Sequence, residues 1–267
     1  MTAQSSAVIP RTLPTSGGGP LLGFGTVLGK ELREWIHGPK ALIILGVSIL
    51  GAVFMTLIPF IAKATGEAEA GGLLTHDPTA NVLLGWTGQT VALIAVLATM
   101  AVLSTERDRG TLAWTLTNPV SPTSVIAAKL LVAFIVFVTT AVLLPMAVQI
   151  GLATVVYGSV PDLEVVGVFL GLFIALPAFY VTLTVALGAG IKSTVGVAGV
   201  AFAVMFLPQV IGGLLPIVNE LSPTSIGTWA LQVAKGRPAS MLTPIGWAVS
   251  MLALIVGAKL AFDRQEL

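Results

Sequence analysis

The sequence predicts an all-α membrane protein: six transmembrane helices, an N-terminal amphipathic interfacial helix and a short helix on the loop between the second and third spans. Three observations carry this. Charged residues are 9% of the 267 positions and hydrophobic ones 55%, whereas a soluble domain carries about 25% charge. The mean hydropathy is +0.98. Six charge-free runs occupy residues 41–62, 78–105, 130–161, 165–191, 193–219 and 238–258, and about twenty apolar helical residues cross a hydrocarbon core of about 30 Å. Helix is required because lipid offers backbone N–H and C=O groups no partner. Barrel strands would alternate in polarity over about ten residues, and these runs do not.

Residues 1–20 have no apolar core and are rich in Ser, Thr, Gly and Pro, so they read as a disordered cytoplasmic tail and not as a secretory signal. Residues 21–267 read as one membrane domain, with the interfacial helix over 21–37. The spans are expected at about 41–62, 82–103, 130–156, 165–190, 194–218 and 242–259.

With the N-terminus inside, ten of the thirteen Lys and Arg fall on the cytoplasmic side, and only Lys63, Lys235 and Arg237 fall outside. The positive-inside rule selects that orientation, with both termini cytoplasmic in a multi-pass cell (inner, cytoplasmic) membrane protein.

In the interfacial helix Phe24, Leu28, Leu32 and Trp35 share helical spacing, with Val27 and Ile36 beside them. Lys30, Glu31, Arg33 and Glu34 fall largely on the other side, and Trp35 and Lys40 act as interfacial anchors. Gly38-Pro39 ends the helix and turns the chain into the bilayer.

Pro59, Pro145, Pro177, Pro208 and Pro216 lie in the spans, where each removes a backbone donor. An ordinary kink is the preferred reading for Pro145 and Pro177. Pro208 and Pro216, with Gly212 and Gly213 between them, predict a break near the outer surface. Gly167 and Gly171 form a small-xxx-small pair, a spacing that 29 glycines produce readily by chance.

The loop after the second span is the most informative stretch. Glu106, Arg107, Asp108 and Arg109 close that span in water; Leu112, Trp114 and Leu116 follow at helix-compatible spacing. Asn118-Pro119 stops the helix, and Ser121 with Pro122, Thr123 and Ser124 can cap the next span. A link of about twenty residues exceeds the usual loop length. Two readings stand: a docking surface for another protein, or an interfacial loop whose Trp and Leu dip into lipid.

Glu106-x-x-x-Gly110-Thr111-Leu112-x-x-x-Leu116-x-x-Pro119-Val120-Ser121, followed by Lys129, resembles the first intracellular loop of ABC exporter permeases of type two. Lys30-Glu31-Leu32-Arg33-Glu34 resembles that family's interfacial helix. Leu221-Ser222-Pro223-Thr224 resembles its outer segment between the fifth and sixth spans. The resemblance covers nearly the whole chain by topology and extends to the permeases of nitrous-oxide-reductase maturation and of drug, bacteriocin and sodium export.

It implies a half-transporter, completed by a second permease copy or a paralogue, working with an ATP-binding-cassette ATPase subunit. Residues 106–112, Trp114, Leu116 and Pro119 would then form the coupling helix that rests on the ATPase.

The chain itself carries no cofactor and no catalytic or metal site on this reading; ATP and Mg would sit on the partner subunit. The closest string to a phosphate-binding loop is Gly188-Ala189-Gly190-Ile191-Lys192-Ser193-Thr194. It lacks the glycine before the lysine. With no cysteine, thiol chemistry and disulfides are excluded. The net charge of +1 points to no nucleic-acid partner. His37 and His76 fall on opposite sides and cannot share a metal.

The six charge-free runs hold no ionisable Asp, Glu, Lys, Arg or His, which argues against a proton-coupled carrier or an intramembrane aspartyl protease. Gln89, Thr99, Thr139, Thr140, Gln149, Thr182, Thr184 and Gln209 remain as polar residues in or near spans. Helix-to-helix hydrogen bonds are the preferred role for most of them, and lining a substrate path is the other. The rival functions are a secondary transporter or channel without an ATPase, and a non-transporting membrane assembly factor.

Overall fold

The computed structural model describes residues 19, 21–64, 77–86, 89–103 and 120–263. Among these the chain is helical with connecting turns and contains no strand. Five helical stretches are long and apolar enough to cross a membrane: Pro39–Ile58, Thr123–Tyr157, Leu163–Gly190, Thr194–Leu214 and Leu242–Ala261. The remaining apolar run, second in order, is broken into shorter helices.

The elements are α1 (Phe24–His37), α2 (Pro39–Ala64), α3 (Pro78–Leu84), α4 (Thr90–Thr99) and α5 (Pro122–Phe137). A π-helical turn (Val138–Leu143) leads into α6 (Leu144–Tyr157), and then α7 (Leu163–Phe173), α8 (Ala175–Gly190) and α9 (Thr194–Leu214). The chain closes with α10 (Pro216–Leu221), a 3₁₀ turn (Pro223–Ser225), α11 (Ile226–Ala234) and α12 (Leu242–Asp263).

Helix starts follow local chemistry. Asp77, Ser121, Asp162 and Ser193 each accept a backbone N–H in the first turn of α3, α5, α7 and α9. Such caps satisfy donors that the helix leaves unpaired. Pro78 and Pro122 sit in first turns, where a missing N–H costs nothing. α5 therefore begins well before residue 130, and Lys129 lies two turns inside it.

Proline explains the irregularities. Pro145 has no N–H for the carbonyl of Ala141, and the π turn immediately before it absorbs the mismatch. Thr139 and Thr140 donate to the carbonyls of Ile135 and Val136, each at 2.8 Å. Pro177 follows the interruption between α7 and α8 at Ile174. Pro208 is carried inside α9, and the chain breaks at Leu215, between Gly213 and Pro216.

The segment after that break folds back into the bundle. A β-carbon on Gly212 would lie 2.7 Å from Asn219 Cβ, so α10 returns against the end of α9. Gly227 meets the ring of Phe173 at 3.3 Å and Leu176 at 3.4 Å, measured from the position of a β-carbon. Phe173 lies ten residues into α7, about 15 Å at about 1.5 Å per residue. The start of α11 thus packs against α7 and α8 about three turns from the beginning of α7. α11 then runs back along α7.

The core is built from Phe137, Phe169, Phe173, Tyr180, Met146 and Met205, all fully buried. Phe169 stacks on Phe173, and Trp86 meets Phe173 edge-on. Large apolar side chains of α2, α9 and α12 point outward instead, among them Ile43, Phe54, Val210, Leu214, Val249 and Leu252. An exterior of that kind belongs in lipid or against another apolar surface. Gly167 and Gly171 have nothing near a β-carbon position, so their pairing serves no close approach among the described residues.

Candidate transport cavity and helix junction

Two features stand out, one at each end of the bundle. The first is a cavity of about 540 Å³. Its wall combines Gln89 and Ala92 at the start of α4, Leu176 and Tyr180 of α8, and Gln209, Gly212 and Gly213 of α9. The folded-back segment closes it with Asn219, Thr224, Ser225, Gly227 and Thr228. Irregular backbone surrounds it: the turn residues Gly85, Trp86 and Gln89, the break at Leu215 and the 3₁₀ turn. At membrane depth such backbone is tolerated only when buried in protein or lining a wet cavity.

The cavity wall mixes polar and apolar groups, and none of the described residues lining it is charged. Tyr180 is fully buried, yet its hydroxyl has no hydrogen-bond partner among the described residues; the carbonyl oxygen of the Gln89 side chain is likewise buried and unpaired among them. Gln209, Gly213, Asn219 and Thr228 are exposed, whereas Ala92, Tyr180 and Gly227 are buried. The opening therefore lies on the α9 and α11 side.

The interruption beside Gln89 is held from below. Trp86 Nε1–H donates to Oε1 of the fully buried Gln149 of α6. Gly85 leaves room for this: a β-carbon there would lie 2.9 Å from Gln149 Nε2 and 3.2 Å from Met55 Cβ. Thr99 and Thr184 share a 2.6 Å hydroxyl contact that ties α4 to α8. Of the polar span residues, Thr99, Gln149 and Thr184 thus join helices, Thr139 and Thr140 bond their own helix, and Gln89 and Gln209 line the cavity.

The second feature is the α1–α5 junction. Glu31 of α1 and Lys129 of α5 form an ion pair at 2.7 Å, with side chains 4% and 2% exposed. The expectation that Glu31 lies on the polar side of α1 is corrected here. The buried face is Val27, Glu31 and Trp35, successive turns at four-residue spacing, while Leu32 and Ile36 are exposed. An apolar Leu32 gives way to an acid because α5 presents a lysine at that place.

The segments leading into the same two helices also meet, nine residues before Glu31 and eight before Lys129. Ser121 N–H donates to Leu22 O at 3.1 Å. Gly23 adopts φ +76, and a β-carbon there would come within 2.8 Å of the Val120 side chain. That conformation and that contact both require glycine. Leu22 with Ser121 and Glu31 with Lys129 put α1 and α5 side by side, running in the same sense.

Of the other residues singled out on α1, Lys30, Arg33 and Glu34 are exposed. Lys30 pairs with Glu34 at 3.6 Å and lies 4.0 Å from Glu31. Trp35 is buried, with the Lys40 ammonium 5.9 Å from its ring centroid. The stretch holding Glu106, Arg107, Asp108, Arg109, Gly110, Thr111, Leu112, Trp114, Leu116 and Pro119 lies outside the described residues, as does His76. The described chain reaches Leu103 on one side of that stretch and resumes at Val120, against Gly23, on the other.

The family model for the ABC-2 family transporter protein matches residues 26–267, from inside α1 to the last residue. The chain belongs to the ABC-2 transporter family. It is a permease component of an ABC transporter and a multi-pass membrane protein. No curated protein matches the chain.

In this ABC-2 permease the string nearest to a phosphate loop is a helix connection. Ile191 ends α8 and Ser193 caps α9. A β-carbon on Gly188 would pack on Leu103 at 3.3 Å, so that glycine serves helix contact.

Proposed function

We propose that this permease is the membrane-spanning half of an ATP-driven exporter, with ATP hydrolysed on a separate ATP-binding-cassette subunit and α1 at the cytoplasmic end. The buried Glu31–Lys129 pair carries the mechanical part of the reading. It binds α1 to the helix that receives the loop of residues 104–119. A force on that loop would move α1 and the first turns of α5 as one body.

Closure of two ATPase subunits around ATP supplies the force. Glu106, Arg107, Asp108 and Arg109 orient the loop, and Leu112, Trp114 and Leu116 fill a groove on the ATPase. Continuous packing supports a route to the cavity. α5 passes through the π turn into α6, Gln149 of α6 holds Trp86, and Gln89 follows three residues later. In parallel, Thr99 at the end of α4 holds Thr184, one turn from Tyr180. A second copy of the permease, or a paralogue, would cover the outward-facing apolar sides of α2, α9 and α12.

The test is the double variant Leu112→Asp, Leu116→Asp in a tagged chain. The expected outcome is normal membrane insertion with loss of the co-purifying ATP-binding-cassette subunit and of ATPase activity. ATPase activity retained at the wild-type level would refute the docking role.

A further inference from the structure

We infer that the cavity between α4, α8, α9 and the folded-back segment is a binding site for an uncharged ligand bearing several hydroxyl or amide groups. The inference takes its purpose from the permease reading: the ligand is cargo, or resembles it.

Four observations carry it. The volume of about 540 Å³ lies within the roughly 300–1,000 Å³ of small-molecule sites. Among the described residues the polar lining consists of amides and hydroxyls: Gln89, Tyr180, Gln209, Asn219, Ser225 and two threonines. A charged ligand would lose hydration there with no opposite charge among the described lining residues. A bare metal cation would be far too small for the space.

The third observation concerns unused bonding capacity. Tyr180 Oη and Gln89 Oε1, on two of the wall residues, are buried with no partner among the described residues, and a buried polar group left so is costly. Ser225 donates to Asn219 Oδ1 at 2.9 Å, which leaves the Asn219 amide NH₂ for the cavity. Gln209 Nε2 donates to Met205 O at 3.1 Å, which leaves its carbonyl oxygen. Donors and acceptors are thus both on offer, as a hydroxyl or amide requires. Fourth, the rest of the wall is small or apolar: Ala92, Leu176 and the glycines. The carbon skeleton of such a ligand can lie against it.

The experiment uses the full-length chain alone in lipid nanodiscs and equilibrium dialysis. One probe series keeps the skeleton and changes the charge: phenyl glucoside, phenyl glucuronide and phenyl glucosaminide. A second pairs N-acetyl-alanyl-alanine amide with its free acid. At least one neutral probe is expected to bind about tenfold more tightly than its charged analogues. Tyr180→Phe and Gln89→Leu should each weaken that binding by about five- to tenfold, with unchanged gel-filtration profiles.

Equal binding of charged and neutral probes, binding of neither neutral probe, or neutral-probe affinity unmoved in both variants would overturn the assignment. No ATPase takes part, so a failure here is separable from a failure of the docking test above.

Discussion

Glu31 shows what a single residue in this chain does and why its role is hard to read. The four-residue spacing of Val27, Glu31 and Trp35 is visible in the sequence. Its partner Lys129 is 98 positions away, and amphipathic patterning sends every acid to the wet side by default. Pairing across that distance has no local signature. Breaking a buried pair by removing one member costs about 3–5 kcal/mol. Glu31→Gln and Lys129→Met are each expected to lower the thermal midpoint of the solubilised chain markedly. The double variant should recover most of the loss. A double variant no more stable than the worse single one would show that the two side chains are not coupled.

The long helices and their caps are the part of the element scale that local chemistry reveals. Charge-free runs mark five of them, and Ser121-Pro122 marks the start of α5. The second span is different. Nothing in Gly85, Trp86 and the residues to Gln89 is unusual for a continuous apolar helix. In the fold the Trp86 N–H bonds to the distant Gln149, a contact with no local signature. The folded-back segment is half legible: prolines and glycines announce the break at Leu215, but the return to the level of Phe173 comes from tertiary packing.

Gly246 makes that return possible. A β-carbon there would overlap the carbonyl oxygen of Leu221 and lie 2.8 Å from its carbon, both rigid backbone atoms. Gly246→Ala is expected to destabilise the chain by about 1–3 kcal/mol and to expose the 216–225 segment to protease. Gly257→Ala on the same helix meets nothing within 4 Å and should stay within about 0.5 kcal/mol. Equal effects from the two changes would contradict this packing.

At the scale of the molecule, composition alone carries the membrane class, because 9% charge cannot cover a water-facing surface. Family membership agrees with the resemblance seen in three short motifs. The cavity was not legible. Gln89 and Gln209 are separated by 120 positions and look like any polar residues in apolar helices. Only the fold brings them to one wall with Tyr180.

The central claim is that ATP-driven movement of the 104–119 loop reaches that cavity at the opposite end of the bundle. The chain has no cysteine, so one introduced thiol reports alone. Thr228→Cys, at the open side of the cavity, would be labelled with a membrane-impermeant maleimide in sealed vesicles carrying the permease and its ATPase. The account predicts labelling from the outer face only. It predicts a rate that changes several-fold when the ATPase is trapped with ATP and vanadate, and no such change with Leu112→Asp, Leu116→Asp. Labelling from the inner face, or a rate indifferent to trapping, would contradict it.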